Sequence, residues 1–350
     1  MRNQRQESGD HSIVAQSGRD TTINHHSGIS PIEALQIVEH VVSRELEMYK
    51  NESREEVQRR FGEMQRDLLT RIADFDDAEL GAFRDPDVQA LLTEAQVSYA
   101  RSGRDDVKRT LVDLIAARCS TEPGGLQAVV TTEAVEVVRK ITRGGIAILT
   151  VSFLVTRVQN EGLNSLADLD VWARQNISPF LPDVPVNRAE FEHLASTGTA
   201  IIDIGERSLV SILPKRYPGL FQRGLSREEI SDDIWELQEK NGNLFRQCLN
   251  NEEKIQVLAL NADVARSRFG RSGAPDVMDR YVELLESNLV GNVEQFIRER
   301  LPAWSEILDT WNRSELIGHT NLTSVGVAIA HCNWTNTMKV STPLSVWIPD

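Results

Sequence analysis

From residue 32 to residue 75 the apolar positions fall on one helical face. Leu35, Val38, Val42, Leu46, Tyr49, Val57, Phe61, Met64, Leu68, Ile72 and Phe75 are separated by steps of three or four, with one skip across Ser53. Pro31 suits a first helical turn and Ser30 a cap before it. Unbroken, such a helix would run ~65 Å. That length points to a coiled-coil segment or a helical hairpin, with the polar stretch 50–56 as the place for a break. The other reading is that the stripe packs on the chain's own core.

Beyond the stripe, Asp85-Pro86 restarts helix to about Arg101, Ser102-Gly103 is a turn, and 105–118 is the next helix. Residues 126–141 and 146–159 read as two helices parted by Gly144-Gly145, and 166–181 as another. Short β-rich runs occur at 200–204 (AIIDI) and 254–260 (KIQVLAL). Helix returns at 275–308 and at 322–330, and 344–348 (LSVWI) reads as a closing strand. The fold class is therefore mainly α with a small α+β portion: a short N-terminal β-forming segment, a long amphipathic helix and a helical domain. The divisions expected are 1–30, a polar self-association segment; 31–79, the long helix or hairpin; 80–221, the helical domain; and 222–350, an α+β C-terminal region.

Residues 1–30 differ in kind, being rich in Ser, Gly, Asn, Gln, Asp and Thr with few aliphatics. Ser8-Gly9 and Ser17-Gly18 each precede a short β-prone run, and Ser27-Gly28 follows, which reads as short β-segments between glycine turns. One such segment cannot hold β-structure alone in water. Copies from several chains could: Gln16, Asn24, Ser12 and Thr residues would form ladders, Ile13, Val14 and Ile23 a dry interior, and Gly18 a reversal. A closed trimeric prism and an open amyloid-like stack both meet these demands. Disorder is the alternative that the composition permits.

Composition narrows the partners. Forty per cent hydrophobic residues suffice for a core, and a net charge of −14 disfavours broad nucleic-acid binding and adhesion to anionic membranes. No apolar leader opens the chain, and the most apolar run, 144–155, is too short to span a bilayer. Cys119, Cys248 and Cys332 are widely spaced and form no CxxC pair, so reduced thiols in a cytoplasmic protein are expected, without metal or cofactor.

Motifs for chemistry are missing from the sequence. There is no phosphate-binding glycine–lysine loop, no GxSxG and no HExxH. His25-His26 near Asp20 reads as a solvated pair, and His193 with Glu190 and Glu192 has no evident nucleophile. His319 and His331 flank an apolar helix and read as structural or exposed. Asp105-Asp106 and Asp232-Asp233 suit helix starts.

Gly9, Asp10, Ser12, Ile13, Gln16, Gly18 and Asp20 resemble an N-terminal motif of bacterial conflict and defence proteins, near G-D/N-x-S-hydrophobic-x-x-Q-x-G-x-D. Val14-Ala15-Gln16-Ser17-Gly18 is similar, more distantly, to bacterial amyloid signalling and necroptosis-type motifs, departing from the latter at Ala15 and Ser17. The whole chain also resembles an uncharacterised bacterial family with such a motif before a helical body. The residues carrying that resemblance are the Tyr99–Gly103 turn (YARSG), the 322–330 helix (LTSVGVAIA) and the apolar 344–348 segment. The resemblance implies templated assembly with itself or with a protein carrying a similar motif, through Gly9, Ser12, Ile13, Val14, Gln16, Gly18, Asp20, Ile23 and Asn24. Two other readings stand beside it: an enzyme with a site built from scattered acids and histidines, and a winged-helix-like nucleic-acid binder formed by 322–330 and the strand after it.

Overall fold

In a computed structural model, the structure describes residues 33, 36, 37, 51–73, 75–160, 162–241, 243–259, 261–269 and 275–349. The residues expected to self-associate, Gly9 to Asn24, and the His25-His26 pair lie outside the described residues.

The body is mainly helical. Its helices are α1 (Asn51–Ile72), α2 (Asp77–Gly81), α3 (Pro86–Ser102), α4 (Asp105–Cys119), α5 (Leu126–Val138), α6 (Arg143–Thr156), α7 (Leu166–Asn176) and α8 (Arg188–Ser196). They continue as α9 (Leu209–Arg216), α10 (Asp232–Asn241), α11 (Ala262–Phe269), α12 (Pro275–Ser287), α13 (Val293–Arg300), α14 (Pro302–Arg313) and α15 (Ser324–Met338). The small β-portion is two antiparallel pairs. β1 (Ala200–Ile202) lies against β4 (Thr320–Leu322), with Ile201 opposite Asn321, and β2 (Phe245–Gln247) lies against β3 (Ile255–Val257).

Local chemistry sets the boundaries. Asp85 caps α3 by accepting from the Asp87 N–H, with Pro86 in the first turn. The helix ends where Gly103 turns left-handed at φ 60°, its N–H donating to the Tyr99 carbonyl. Thr142 caps α6 from just ahead of the two glycines by accepting from Gly145 N–H, so Gly144-Gly145 open that helix instead of separating two others.

At the centre α6 lies against α15. Every residue of α6 from Gly145 to Val155 is buried, and α15 buries Val325 to Cys332 and Trp334. The Asn333 amide donates to Thr150 Oγ1 at 2.9 Å and ties the two together. Gly326 permits the approach of α15: a Cβ there would stand 2.0 Å from the Thr199 carbonyl oxygen. The most apolar run of the sequence is thus a core helix. Among the described residues, no helix is long and apolar enough to cross a membrane.

The main core runs from Met64 to Ile348 and takes in α14 and α15 as well as α1 to α9. Residues 225–285 gather round a second, smaller core of Ile234, Phe245, Val257, Tyr281 and Leu285. The chain leaves the body after Phe221, forms this unit, and returns through α13.

Four expectations change. Residues 51–56 of the expected break at 50–56 are helical, as the opening of α1. The expected 275–308 helix is three helices, α14 restarting at Pro302. The 166–181 helix stops at Asn176, and a 3-10 turn through Pro179 and Pro182 follows. The closing strand 344–348 is a 3-10 turn, Leu344–Val346. Leu344 and Ile348 are 4% and 3% exposed and Val346 is 62% exposed, a spacing of four that suits a helical turn. The Ile348 carbonyl accepts from the Gln127 side chain, which anchors the turn on α5.

Candidate functional site

The polar side of α1 and its junction with the turn between α3 and α4 form a charged recess. The apolar side comes first. Val57, Phe61, Met64, Leu68 and Ile72 are all buried, at steps of three or four, and α1 packs along α3 and α4. The stripe read from the sequence is therefore covered by the chain's own body over 57–72. Ile37 is also half-buried against the main core.

The same spacing places Glu56, Arg59, Glu63 and Asp67 on the other side. Arg59 bonds Glu56 through Nη2 at 2.6 Å and also reaches Glu63. Arg60 crosses to the neighbouring helix, where its Nη1 donates to the Ala100 carbonyl at 2.6 Å. Its guanidinium covers Gly103, where a Cβ would meet it at 2.6 Å. Glycine suits position 103 because its backbone is left-handed; for a Cβ there, the flexible Arg60 guanidinium would have to move aside.

Tyr99, one helical turn before Gly103, donates its hydroxyl to Glu63 Oε2 at 2.6 Å. That bond, with Arg59 beside it, holds the Glu63 carboxyl below the usual carboxylate range. Burial, and then Glu63, pushes the Tyr99 hydroxyl well above its ordinary value. Lys108 at the start of α4 stands 2.9 Å from Asp67, 3.6 Å from Asp105 and 5.6 Å above the Tyr99 ring. Between Arg59, Glu63, Arg66, Asp67, Tyr99 and Lys108 lies a cleft of about 370 Å³.

This arrangement is a set of paired charges around one tyrosine. Its carboxylates are occupied by cations, and its tyrosine stays protonated through the physiological range. Its chemical capacity is to fasten α1 to the turn 99–103.

The other candidate residues do not converge. His193 donates Nε2 to the Lys140 carbonyl at 2.7 Å, while Glu190 accepts from Thr142 and Glu192 pairs with Arg188. His319 Nδ1 lies 3.2 Å from the Asp203 carbonyl. His331 is buried, bonded through Nε2 to the Thr342 carbonyl at 2.8 Å and ringed by Phe153, Trp334 and Trp347; burial lowers its pKa to about 4. Cys119, Cys248 and Cys332 are free and buried, and burial pushes the Cys119 thiol up to about 12. Among the described residues no three His, Cys, Asp or Glu side chains gather as metal ligands. The winged-helix reading loses its closing strand, since 344–346 is helical.

The Tyr99–Gly103 turn, noticed through resemblance, lies in the cleft. Glu63 and Arg60 were not singled out from the sequence, although Arg59–Glu63 at four-residue spacing was a readable pair.

A family model labelled ":-like" matches residues 28–348. No curated protein and no solved structure matches the chain. Segment 9–24 precedes the matched region, which covers the whole helical body and far more than half of the sequence. The chain belongs to that uncharacterised family.

Proposed function

We propose that this chain is a non-enzymatic, self-assembling interaction protein, in which 9–24 pairs with copies of itself or with a similar motif in a partner. The observation that carries the reading is the repeated Ser-Gly pattern with its motif residues, Gly9, Ser12, Ile13, Gln16, Gly18 and Asp20, ahead of a helix clamped to the body. Repeated short β-prone segments with polar ladder residues gain stability by stacking between chains. The α1 stripe is covered by the chain's own body over 57–72, which argues against a coiled coil through those residues and supports assigning association to the segment before it. The clamp at Tyr99 and Arg60 gives assembly a mechanical connection to the body. Cytoplasmic location and a role in bacterial conflict or defence signalling belong to the same proposal, by resemblance of the motif.

The test is substitution within the motif. Gln16→Pro removes a ladder donor and acceptor, and Gly18→Val blocks a reversal. Each should abolish multimers in light scattering while circular dichroism keeps its helical signal. A variant that retains the wild-type mass would show that this segment is not the assembly device.

A further inference from the structure

The chain leaves α15 at Lys339, whose left-handed backbone (φ 55°) ends the helix. Residues 341–348 then lie against α5, α6 and α15. Among the described residues, hydrogen bonds tie this segment to the body at two carbonyls. His331 Nε2 donates to the Thr342 carbonyl at 2.8 Å, and Gln127 Nε2 donates to the Ile348 carbonyl at 2.7 Å. The segment's own N–H groups bond internally, Val346 to Pro343 and Trp347 and Ile348 to Leu344. The rest of the hold is apolar. Leu344 and Ile348 are buried, and the Trp347 ring stands 5.1 Å from both Phe153 and His331.

Of these holding groups, only the imidazole changes charge between pH 4 and pH 8. Its second nitrogen, Nδ1, is buried without a hydrogen-bond partner. The rings of Phe153 and Trp334 close the other sides, at 6.3 and 6.4 Å. A proton placed on Nδ1 would make a buried cation with no acceptor beside it, which is costly. No neighbouring charge offsets that cost. α15 has no charged side chain from Ser324 to Met338, and 341–348 has none. α5 carries Glu133 and Glu136, both exposed; α6 carries Arg143, bound to Asp183; on α4, Asp113 is bound to Arg71 and Asn336. Lys339 stands before the segment. None of these acts on His331, whose pKa burial lowers against the Thr342 bond alone. The ring regains water most cheaply where the cover is thinnest. α6 is buried from Gly145 to Val155, whereas 341–348 is held by two hydrogen bonds and three apolar side chains.

We propose that residues 341–348 form an acid-released strap whose catch is the His331 imidazole. Charging that ring frees the strap and uncovers the aromatic face of Phe153 and Trp334 beneath it. The direction follows from linkage. An opened strap returns the imidazole to an ordinary value near ~6.5, while the closed strap holds it at about 4, so the open form binds the extra proton between them. The strap is fully closed above the higher value and opens progressively as pH falls toward the lower one. From pH 7.5 to pH 5 the opening constant should rise roughly thirtyfold.

The test is hydrogen exchange of the full chain from pH 7.5 to pH 5, corrected for the intrinsic pH dependence of amide exchange. Wild type should lose protection roughly thirtyfold in 341–348 while the interior of α6 stays protected. His331→Gln keeps a neutral donor toward Thr342 and cannot charge, so its strap protection should be flat with pH. His331→Phe fills the ring's place without either nitrogen and should be flat as well. Strap protection in wild type that does not change with pH overturns the proposal. So does loss of protection in the strap and α6 together, which would mean global unfolding, or a wild-type slope in either variant.

Discussion

Single atoms decide several positions in this fold. Gly326 is the clearest, because a Cβ at that position must enter the Thr199 carbonyl. Gly326→Ala should cost about 1–3 kcal/mol in urea denaturation, the usual range for overpacking. His331 gives the pH dependence. Its folded pKa of about 4 lies below an unfolded value near ~6.5, so the folded state binds fewer protons between them. Its contribution is complete above the unfolded value and is lost as pH falls toward the folded one. The wild type should therefore lose up to about 3 kcal/mol from this group across that window. His331→Phe should flatten that part of the stability profile, and a variant with the same slope as wild type would remove His331 as its source. At this scale the sequence said little. Nothing in the local pattern around Gly326 announces the Thr199 carbonyl beside it, which comes from a distant part of the chain.

Among elements, α1 poses a question of magnitude: whether its ion pairs or its apolar face hold it. Arg59, Glu56 and Glu63 are partly to largely exposed, and exposed pairs contribute little and are screened by salt. Phe61 is 1% exposed, and truncating a buried phenylalanine costs about 3–5 kcal/mol. Hydrogen exchange along 57–72 should be nearly unchanged by molar salt and strongly accelerated by Phe61→Ala. Acceleration by salt equal to that by the mutation would assign the docking to charge. Tyr99→Phe should produce a smaller acceleration, confined to the end of α1 near Glu63. Elements with strong local signals were readable: Asp85-Pro86 opened α3, Ser102-Gly103 closed it, and the stripe from Val57 to Ile72 gave the buried face of α1. The closing segment was not, because Leu344, Val346 and Ile348 fit a period of two as well as Leu344 and Ile348 fit a turn. Contact with Gln127, a tertiary feature, settled it.

For the molecule as a whole, one core joins helices from both halves of the chain, and the unit at 225–285 has its own core beside it. A mainly helical class followed from hydrophobic periodicity, which is a local property. The way α14 and α15 return to the body depends on pairings such as β1 with β4 and Asn333 with Thr150, which no local pattern encodes. In the proposed function this body anchors a segment that acts between molecules. The most direct measurement is the solution mass, by light scattering, of the full chain beside the chain lacking residues 1–30. The account predicts a multimer for the first and a folded monomer for the second; equal masses would contradict it.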